Sequence, residues 1–229
     1  MKANGFSIVE ALLSFPKTIF FNFLVLPVQQ AVKLPFAVSY HVRLKGINKR
    51  SFIVESKKLK TLSMRICLGS SPYLGGIREN KRGALICTRH GKIVLKGNAS
   101  FSQGCIICAD NCTIVFGDGF KCNHSATIAS SDSDISFGKH VICGYNVTIK
   151  NSDGHYIIEH GERKQNHKPI FIGNNVWICS NACVFKGTTV GDNSVVAWGA
   201  LVTKANGEKG VMYAGIPARI IKSGIMWEP

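Results

Sequence analysis

The sequence predicts an all-β solenoid of short parallel strands, with a partly helical arm before it and a short tail after it. Apolar residues recur at a spacing of six over nearly half of the chain, which is a repeat period rather than a helical one. The same region is rich in glycine and β-branched residues, which disfavour a helical bundle. An apolar N-terminal segment broken by prolines predicts the arm, and 229 residues suffice for one domain with this appendage.

The six-residue period defines the predicted core. Its strictest run is Ile172, Ile178, Val184, Val190, Val196 and Val202. Upstream, groups of three are each offset by 21 residues from the last: Leu95, Phe101, Ile107; Phe116, Cys122, Ile128; Phe137, Cys143, Ile149. Three hexads form one triangular coil whose sixth side chains point to the axis, and glycines follow them where the backbone turns: Gly117, Gly138, Gly173 and Gly191. Stacked coils bury this column and protect each other's strand edges.

A polar insertion, NSDGHYIIEHGERKQNHKPI, interrupts the period. It contains His155, His160 and His167. A histidine in a polar loop is ordinarily a solvated side chain, so only the flanking sequence can single one out. We interpret His160 and His167, together with His124 and His140, as surface or structural residues.

The stretch from about Leu95 to Lys222 resembles the left-handed parallel β-helix of the hexapeptide-repeat acyltransferases, in particular the branch that contains maltose, galactoside and polysaccharide O-acetyltransferases. The resemblance rests on the repeats and on NVTIKNSDGH followed by KPIFIGNNVWI. These motifs place His155 on the family's catalytic histidine and Trp177 on its tryptophan. The left-handed direction of the coil comes from the resemblance, because parallel crossovers are ordinarily right-handed.

The resemblance implies acetyl transfer from acetyl-CoA to a hydroxyl, with His155 as the base. An imidazole, with an unperturbed pKa of about 6.5, can take the acceptor proton at neutral pH. Asp153, Glu159 or a backbone carbonyl could orient the ring. A direct ternary-complex mechanism is expected rather than an acyl-enzyme, because none of the nine cysteines occupies a position that the family uses as a nucleophile.

The resemblance also implies a coenzyme A site in the outer groove between coils, at CSNACVFKGTTVG, AWGALVTK and AGIPARIIK. The residues at the family's contact positions are Ser180, Trp198, Thr203, Lys204, Arg219 and Lys222. The three cations would hold phosphate charge and Ser180 the thioester end, although cations there could also only solvate the end of the solenoid. Trp198 replaces a small residue of the relatives, so it either stacks on the cofactor or narrows the groove.

The acceptor side is assigned to Asn123, Asp153 and Trp177. Asn123, in KCNHSATI, falls where a sugar acetyltransferase has an acceptor-binding asparagine, and Lys121 and Tyr145 could line the same cleft. An asparagine at a coil corner also satisfies turn backbone. Both interpretations of Asn123 stay open.

The composition limits which classes of binding partner and which cellular compartment are expected. The net charge of +15 and pI of about 9.6 favour an acidic partner, but no reader motif for nucleic acid is present. Nine cysteines without an evident cleavable signal peptide fit a reducing cytoplasm. Cys105, Cys108 and Cys112 have no second pair at zinc spacing, so we expect buried thiols and no metal. The histidine spacing does not match that of γ-class carbonic anhydrases.

The predicted arm covers residues 1–62, the β-helix 63–205 with its inserted loop at 150–169, and the tail 206–229. Residues 6–39 contain apolar runs broken by prolines, too short for a transmembrane helix. The cations of the arm are Lys17, Lys33, Arg43, Lys45, Lys49, Arg50, Lys57, Lys58 and Lys60. The arm is expected either to lie on the anionic inner face of the membrane or to pack against the β-helix or a neighbouring subunit.

The predicted function is an acetyl-CoA-dependent O-acetyltransferase that acts on a sugar hydroxyl in bacterial surface polysaccharide, such as capsule or lipopolysaccharide, or in its precursor. The resemblance implies a homotrimer, the cysteines favour the cytoplasm, and the basic arm leaves open a peripheral position at the inner membrane face. The alternatives are a small acceptor, such as a free sugar, amino sugar, serine or antibiotic, and a β-helix scaffold without catalytic activity.

Overall fold

The structure is a computed structural model that describes residues 8–56, 60–66 and 84–228. Lys57 and Lys58, which the sequence assigns to the basic arm, lie outside these ranges. The described residues form two helices, α1 (Ile8–Val25) and α2 (Val28–Ala31), followed by 24 strands.

The 24 strands of the described ranges follow one another along the chain, mostly in successive coils. Those of the first coils are β1 (Phe36–Val38), β2 (Arg43–Lys45), β3 (Phe52–Val54), β4 (Met64–Ile66), β5 (Leu85–Arg89), β6 (Lys92–Leu95), β7 (Ala99–Phe101) and β8 (Ile106–Asp110). The middle strands are β9 (Thr113–Phe116), β10 (Phe120–Cys122), β11 (Thr127–Ser131), β12 (Ile135–Phe137), β13 (Ile142–Cys143), β14 (Thr148–Lys150), β15 (Ile158–Glu159) and β16 (Glu162–Arg163). The last are β17 (Ile170–Ile172), β18 (Trp177–Ile178), β19 (Cys183–Phe185), β20 (Thr189–Val190), β21 (Val195–Val196), β22 (Leu201–Val202), β23 (Val211–Gly215) and β24 (Ala218–Ser223).

Three sheets form the faces of the solenoid. Sheet A has the order β1-β4-β7-β10-β13-β18-β21-β23-β24, sheet B β2-β5-β8-β11-β14-β19-β22, and sheet C β3-β6-β9-β12-β17-β20. Their pairings are parallel apart from the antiparallel pair β23 and β24. The chain visits A, B and C in turn, so every third strand stacks on the previous coil. This confirms the predicted parallel β-helix.

The predicted apolar column forms the core. Every one of its positions is buried, with at most 4% of the residue exposed. In sheet C the column aligns Leu95, Phe116, Phe137, Ile172 and Val190 from coil to coil. The rings of Phe116 and Phe137 stack with centroids 5.2 Å apart. The period of six therefore selects the inward side chains correctly.

The corners between strands require residues that tolerate a positive φ or a close approach of the backbone. At the A–B corner, where a strand of sheet A leads to the next strand of sheet B, each coil from β7 onward has one residue with a positive φ; these are Gly104, Ser125, Asn146, Asn181 and Gly199. Glycine and asparagine tolerate this conformation best. Gly138 serves a different purpose, because a Cβ there would lie 2.6 Å from the carbonyl carbon of Gly173 in the next coil. It allows adjacent coils to approach closely.

The solenoid begins earlier than the sequence predicts. Strands β1, β2 and β3 already form a first coil from Phe36, whereas the predicted boundary is at residue 63. Val38 and Leu44 keep the spacing of six, but Leu44 and Val54 are ten residues apart, which hides this coil in the sequence. At the other end, β23 from the predicted tail also joins sheet A.

Helix α1 covers the first edge of sheet A with polar side chains. The Asn22 amide donates from Nδ2 to the Phe36 carbonyl at 3.0 Å and accepts from the Phe36 N–H at 3.1 Å. The Thr18 hydroxyl likewise accepts from the Val38 N–H at 3.0 Å and donates to its carbonyl at 3.2 Å. These groups satisfy β1 where no further strand pairs with it.

Neither helix of the described ranges combines the length and hydrophobicity that a membrane crossing requires.

We predict that Asn22→Ala destabilises the chain by about 2–4 kcal/mol, because it leaves two buried backbone groups of Phe36 unpaired. Urea unfolding should show a lower midpoint with an unchanged slope. Gln29→Ala, at an exposed position of the neighbouring helix α2, is the control and should unfold like wild type. Equal midpoints for all three proteins would contradict a role of Asn22 in closing the sheet edge.

Candidate active site

The insertion leaves the solenoid at the B–C corner, between β14 and β17. Phe116 and Phe137 are 21 residues apart in successive coils, whereas Phe137 and Ile172 are 35 apart, so this coil carries 14 additional residues. Coils before it already have a longer B–C corner, since Ile128 and Phe137 are nine residues apart. The insertion therefore enlarges an existing corner and leaves the strand ladders intact.

The insertion folds into a β-hairpin. Strands β15 and β16 pair antiparallel around a two-residue turn, His160 and Gly161, with φ values of 52° and 81°. Both residues have the positive φ that a type I′ turn requires. At the open end, the Arg163 guanidinium lies 3.3 Å from the centroid of the Tyr156 ring, a cation–π contact that joins the two sides of the hairpin.

Hydrogen bonds fix the base of the hairpin to the solenoid. Asn151 is fully buried; it donates from Nδ2 to the Ser133 carbonyl at 2.6 Å and accepts from the Ser131 N–H at 2.9 Å. The Asp153 N–H donates to the Asn166 carbonyl at 2.8 Å, which ties the outgoing chain to the returning chain. Both ends of the insertion are thus held in place.

Lys186 fastens the same base from the next coil. Its ammonium forms an ion pair with the Asp153 carboxylate and donates to the Gln165 carbonyl at 3.1 Å. The register explains this contact, since Phe185 stacks directly on Lys150 and the following residue then lies over the start of the insertion. The sequence does not single out Lys186, although the stacking register would have indicated it.

His155 lies just beyond this fastened base and is exposed to solvent. The preceding Gly154 has a φ of 80°, and its N–H donates to the Ser152 hydroxyl at 3.1 Å, which turns the chain. The proposed orienting carboxylates have other partners: Asp153 pairs with Lys186, and Glu159 lies 3.5 Å from the Lys164 ammonium. Orientation of His155 by either carboxylate remains a prediction and would require it to exchange partners.

Three of the predicted binding residues lie along the A–B corner, in different coils. The Ser180 hydroxyl is almost buried and accepts from the Tyr145 N–H at 3.2 Å. The Tyr145 ring meets Trp198 edge to face, with centroids 5.2 Å apart, and Trp198 remains 61% exposed. Asn123 occupies the same corner, half-buried, and its N–H donates to the Cys143 carbonyl at 3.0 Å. This corner presents a polar and aromatic surface to solvent.

The C-terminal tail adds a second aromatic pair. Trp177 projects from β18, and Trp227 of the tail lies against it with ring centroids 5.9 Å apart. The Trp227 indole N–H donates to the Asn175 carbonyl at 2.7 Å, which holds the tail there. Sequence reasoning assigned Trp177 and did not find Trp227, because no repeat or motif extends to the tail.

The remaining predicted coenzyme A contacts are exposed. Arg219 and Lys222 lie on β24 at the end of sheet A, whereas Thr203 and Lys204 follow β22 at the B–C corner. Their contacts with coenzyme A remain predictions.

The structure divides the predicted site between two corners. His155 and Asp153 lie at the B–C corner, and Asn123, Ser180 and Trp198 lie at the A–B corner. The chain from Ser180 to Lys186, which touches the hairpin base, runs along β19, so the two corners lie at opposite ends of one strand of sheet B. Within one chain, the two groups of residues therefore lie on different corners of the solenoid and not beside each other.

Burial makes Cys179 and Cys108 poor nucleophiles. It raises the pKa of Cys179, beside Ser180, to about 11, and chiefly burial also raises that of Cys108 to about 11. Cys105 and Cys112 are buried, and the Cys105 and Cys122 sulfurs lie 3.3 Å apart. Within the described ranges, no three His, Cys, Asp or Glu side chains are grouped so that they could hold a metal ion.

We predict that Lys186→Met loosens the hairpin base. A partly exposed ion pair with one additional hydrogen bond is worth about 1 kcal/mol, so amide exchange over residues 151–166 should accelerate about fivefold. Lys164→Met is the matched control, because Lys164 pairs with Glu159 and Glu162 within the hairpin and does not fasten it to the next coil. Unchanged deuterium uptake in the Lys186 variant would contradict the assignment.

Comparison with known proteins supports the sequence resemblance. No family model matches the chain. A segment of 67 residues, 28% of this chain, is 45% identical to the galactoside O-acetyltransferase of Escherichia coli K12. The match covers 32% of that protein, so the chain spans about a third of the length of this curated relative.

Solved structures show the same fold. The polySia-specific acetyltransferase NeuO has 22% identity and a TM-score of 0.56, with 85% of this chain and 82% of that chain covered. A variant of the N-acyltransferase AntD from Bacillus cereus, in complex with dTDP and coenzyme A, has 13% identity and a TM-score of 0.54 over 75% and 83% of the two chains. With its six-residue repeats and three parallel sheets, the chain has the left-handed parallel β-helix fold of the hexapeptide-repeat acyltransferases, and the matched segment is similar to part of a galactoside O-acetyltransferase.

Proposed function

We propose that this chain is an acetyl-CoA-dependent O-acetyltransferase that acts on a sugar hydroxyl, with His155 as the general base. The observation that carries the proposal is the position of His155 on a fastened, solvent-exposed hairpin that enlarges one corner of the solenoid. The flanking motifs and the segment shared with a galactoside O-acetyltransferase support it.

The reaction would be a direct transfer. The acceptor hydroxyl oxygen attacks the thioester carbonyl carbon while its proton passes to the His155 imidazole. The tetrahedral intermediate then collapses, the carbon–sulfur bond breaks, and the imidazolium returns the proton to the departing coenzyme A thiolate. No net charge accumulates on the enzyme. Because the fastened base limits the movement of the hairpin, His155 can be held near an attacking oxygen.

Coenzyme A binding at the A–B corner is the second part of the proposal. Ser180 would contact the thioester end, and the exposed indole of Trp198 offers a flat surface for stacking. Arg219 and Lys222, both exposed, would pair with phosphate groups. Thr203 and Lys204 would contact the cofactor from the B–C corner.

The separation of the two corners supports a homotrimer. Because the two corners lie at opposite ends of β19 within one chain, we infer that the hairpin of one subunit meets the A–B corner of its neighbour. The hairpin carries exposed apolar side chains suited to such a contact, since Ile157 and Ile158 are 63% and 72% exposed. Asn123, Asp153 and Trp177 would then contact the acceptor in the cleft between subunits.

The acceptor that we propose is a hydroxyl of a bacterial surface polysaccharide, such as capsule or lipopolysaccharide, or of its precursor. The net charge of +15 favours binding of an anionic sugar chain. We place the reaction in the cytoplasm, a reducing compartment that suits nine cysteines.

We predict that His155→Ala lowers kcat for acetyl transfer by about 10² to 10⁴ and leaves KM for acetyl-CoA little changed, because only the proton acceptor is lost. Release of free coenzyme A thiol with purified saccharides measures the rate. His160→Asn, on the same hairpin, is the control, since asparagine tolerates the positive φ of that turn. If both variants keep wild-type rates and fold normally, His155 is not the base.

The acceptor class can be tested with the same three proteins. A strain that lacks the gene is complemented with each, and O-acetyl signals on its surface polysaccharide are measured by proton NMR. Wild type and His160→Asn should restore the signals, and His155→Ala should not. Equal acetylation in all strains would contradict surface polysaccharide as the acceptor, and small acceptors should then be tested. If the purified chain does not bind coenzyme A, a scaffold without catalytic activity is favoured instead.

We predict that Cys179→Ser retains activity close to wild type, although Cys179 is adjacent to Ser180 at the proposed donor site. With a pKa of about 11, only about one thiol in ten thousand is ionised at pH 7. Intact-mass spectrometry after incubation with acetyl-CoA should show no acetylated enzyme. A thioester on Cys179 that disappears in the serine variant, together with lost turnover, would contradict direct transfer.

A further inference from the structure

One face of helix α1 packs against the solenoid. The Ser14 hydroxyl accepts from the Tyr40 N–H at 3.1 Å, and Thr18 and Asn22 continue this contact along β1. On the same side, the Phe21 ring is fully buried. These contacts fix which way the helix faces, so its opposite side must face away from the protein.

That opposite side is apolar. Leu12, Phe15 and Phe20 are 69%, 55% and 60% exposed. The other exposed large apolar residues are Val9, Leu13, Ile19, Phe23 and Val28 of the two helices and Val32, which follows α2 directly. We call these residues the outer face. After Glu10, α1 contains a single charged residue, Lys17, and its ammonium donates to the carbonyls of Tyr40 and Val42.

A helix on the surface of a soluble protein ordinarily turns charged and polar residues outward. In α1 this arrangement is reversed, because its polar residues face inward to satisfy a strand edge. A continuous exposed apolar surface of this kind marks a site of interaction.

The surroundings of the outer face are strongly basic. The described residues up to residue 66 contain eight cations, of which all except Lys17 are exposed: Lys17, Lys33, Arg43, Lys45, Lys49, Arg50, Lys60 and Arg65. Glu10 and Glu55 are the acidic residues of the same ranges. The cations after α1 lie beyond α2 and on the first two coils, at the end of the solenoid that the helix covers.

The apolar outer face and the cations around it together indicate what kind of partner binds here. A second copy of the chain bound face to face would bring two strongly basic surfaces together, which costs free energy through like-charge repulsion. An anionic bilayer satisfies both features, because acyl chains accept the apolar side chains and lipid head groups pair with the cations. We propose that the outer face docks on an anionic membrane, with α1 lying in the plane of the interface.

The proposal goes beyond the acetyltransferase assignment and does not depend on it. It concerns the first coil and its helices, whereas His155 and the two candidate corners belong to later coils. Membrane binding can therefore be measured without any acceptor or coenzyme A.

Co-sedimentation of the purified full chain with lipid vesicles tests the proposal. One set of vesicles contains equal parts of phosphatidylglycerol and phosphatidylcholine, and the other contains phosphatidylcholine only. The chain should bind the anionic vesicles at least about tenfold more tightly, and this preference should weaken as salt is raised.

Two groups of variants separate the apolar from the electrostatic contribution. Leu12→Ser/Phe15→Ser/Phe20→Ser should weaken binding about tenfold or more, because it removes the side chains that enter the acyl region. Its matched control, Ile106→Ser/Phe171→Ser, replaces exposed apolar residues elsewhere on the solenoid and should bind like wild type.

The second group reverses charge. Lys45→Glu/Lys49→Glu/Arg50→Glu should weaken binding to anionic vesicles by at least about tenfold and should not affect binding to neutral ones. Lys96→Glu/Lys139→Glu, exposed cations of later coils, is its control. Because all of these positions are exposed, the variants should retain wild-type thermal unfolding.

Three results would overturn the proposal. The first is absence of vesicle binding by wild type at low salt. The second is equal binding by folded outer-face variants and wild type. The third is a change in oligomeric state, measured by light scattering, when the outer face is altered while wild type ignores vesicles, which would show that the face joins copies of the chain.

Discussion

The rest of the molecule depends on the stacking register of the coils. Each strand must pair with the strand one coil away, so an additional residue within a strand would move the inward column of every later coil out of line. Additional residues are therefore accommodated at corners. This is why 14 residues can leave between β14 and β17 while Phe137 still aligns with Ile172. The ladders on both sides then provide the rigid support that the base of the hairpin needs.

The same constraint leaves open edges at the ends of the solenoid. At the C-terminal end, β24 turns back antiparallel on β23 and closes sheet A. At the N-terminal end a helix does this with side chains four residues apart: Thr18 and Asn22 contact β1, and Ser14 contacts Tyr40, which follows it. Because those polar residues face inward, the apolar residues between them face outward. The inverted character of α1 is thus a consequence of edge protection, before any partner is considered.

The sequence predicts those parts of the molecule that follow from a local period. The inward column, the parallel coils and the place of the insertion are visible because each depends on spacing along the chain. The first coil is not predicted from the sequence because Leu44 and Val54 are ten residues apart and break the period of six. The Lys186 contact with Asp153 joins residues 33 positions apart and depends on which coil lies over the insertion. Trp227 meets Trp177 through a tail without any repeat.

The distance between the base of the solenoid and the hairpin links the two proposals. Sheet B runs β2-β5-β8-β11-β14, so the hairpin leaves the solenoid four strand spacings, or about 19 Å, from the first coil. If docking through α1 sets the solenoid axis perpendicular to the membrane, His155 would lie at least roughly that far above the membrane surface, because α1 lies below the first coil. A single sugar attached directly to a lipid head group would not reach it, whereas an oligosaccharide unit would. Docking through α1 would therefore itself select a saccharide chain of several residues among lipid-linked acceptors.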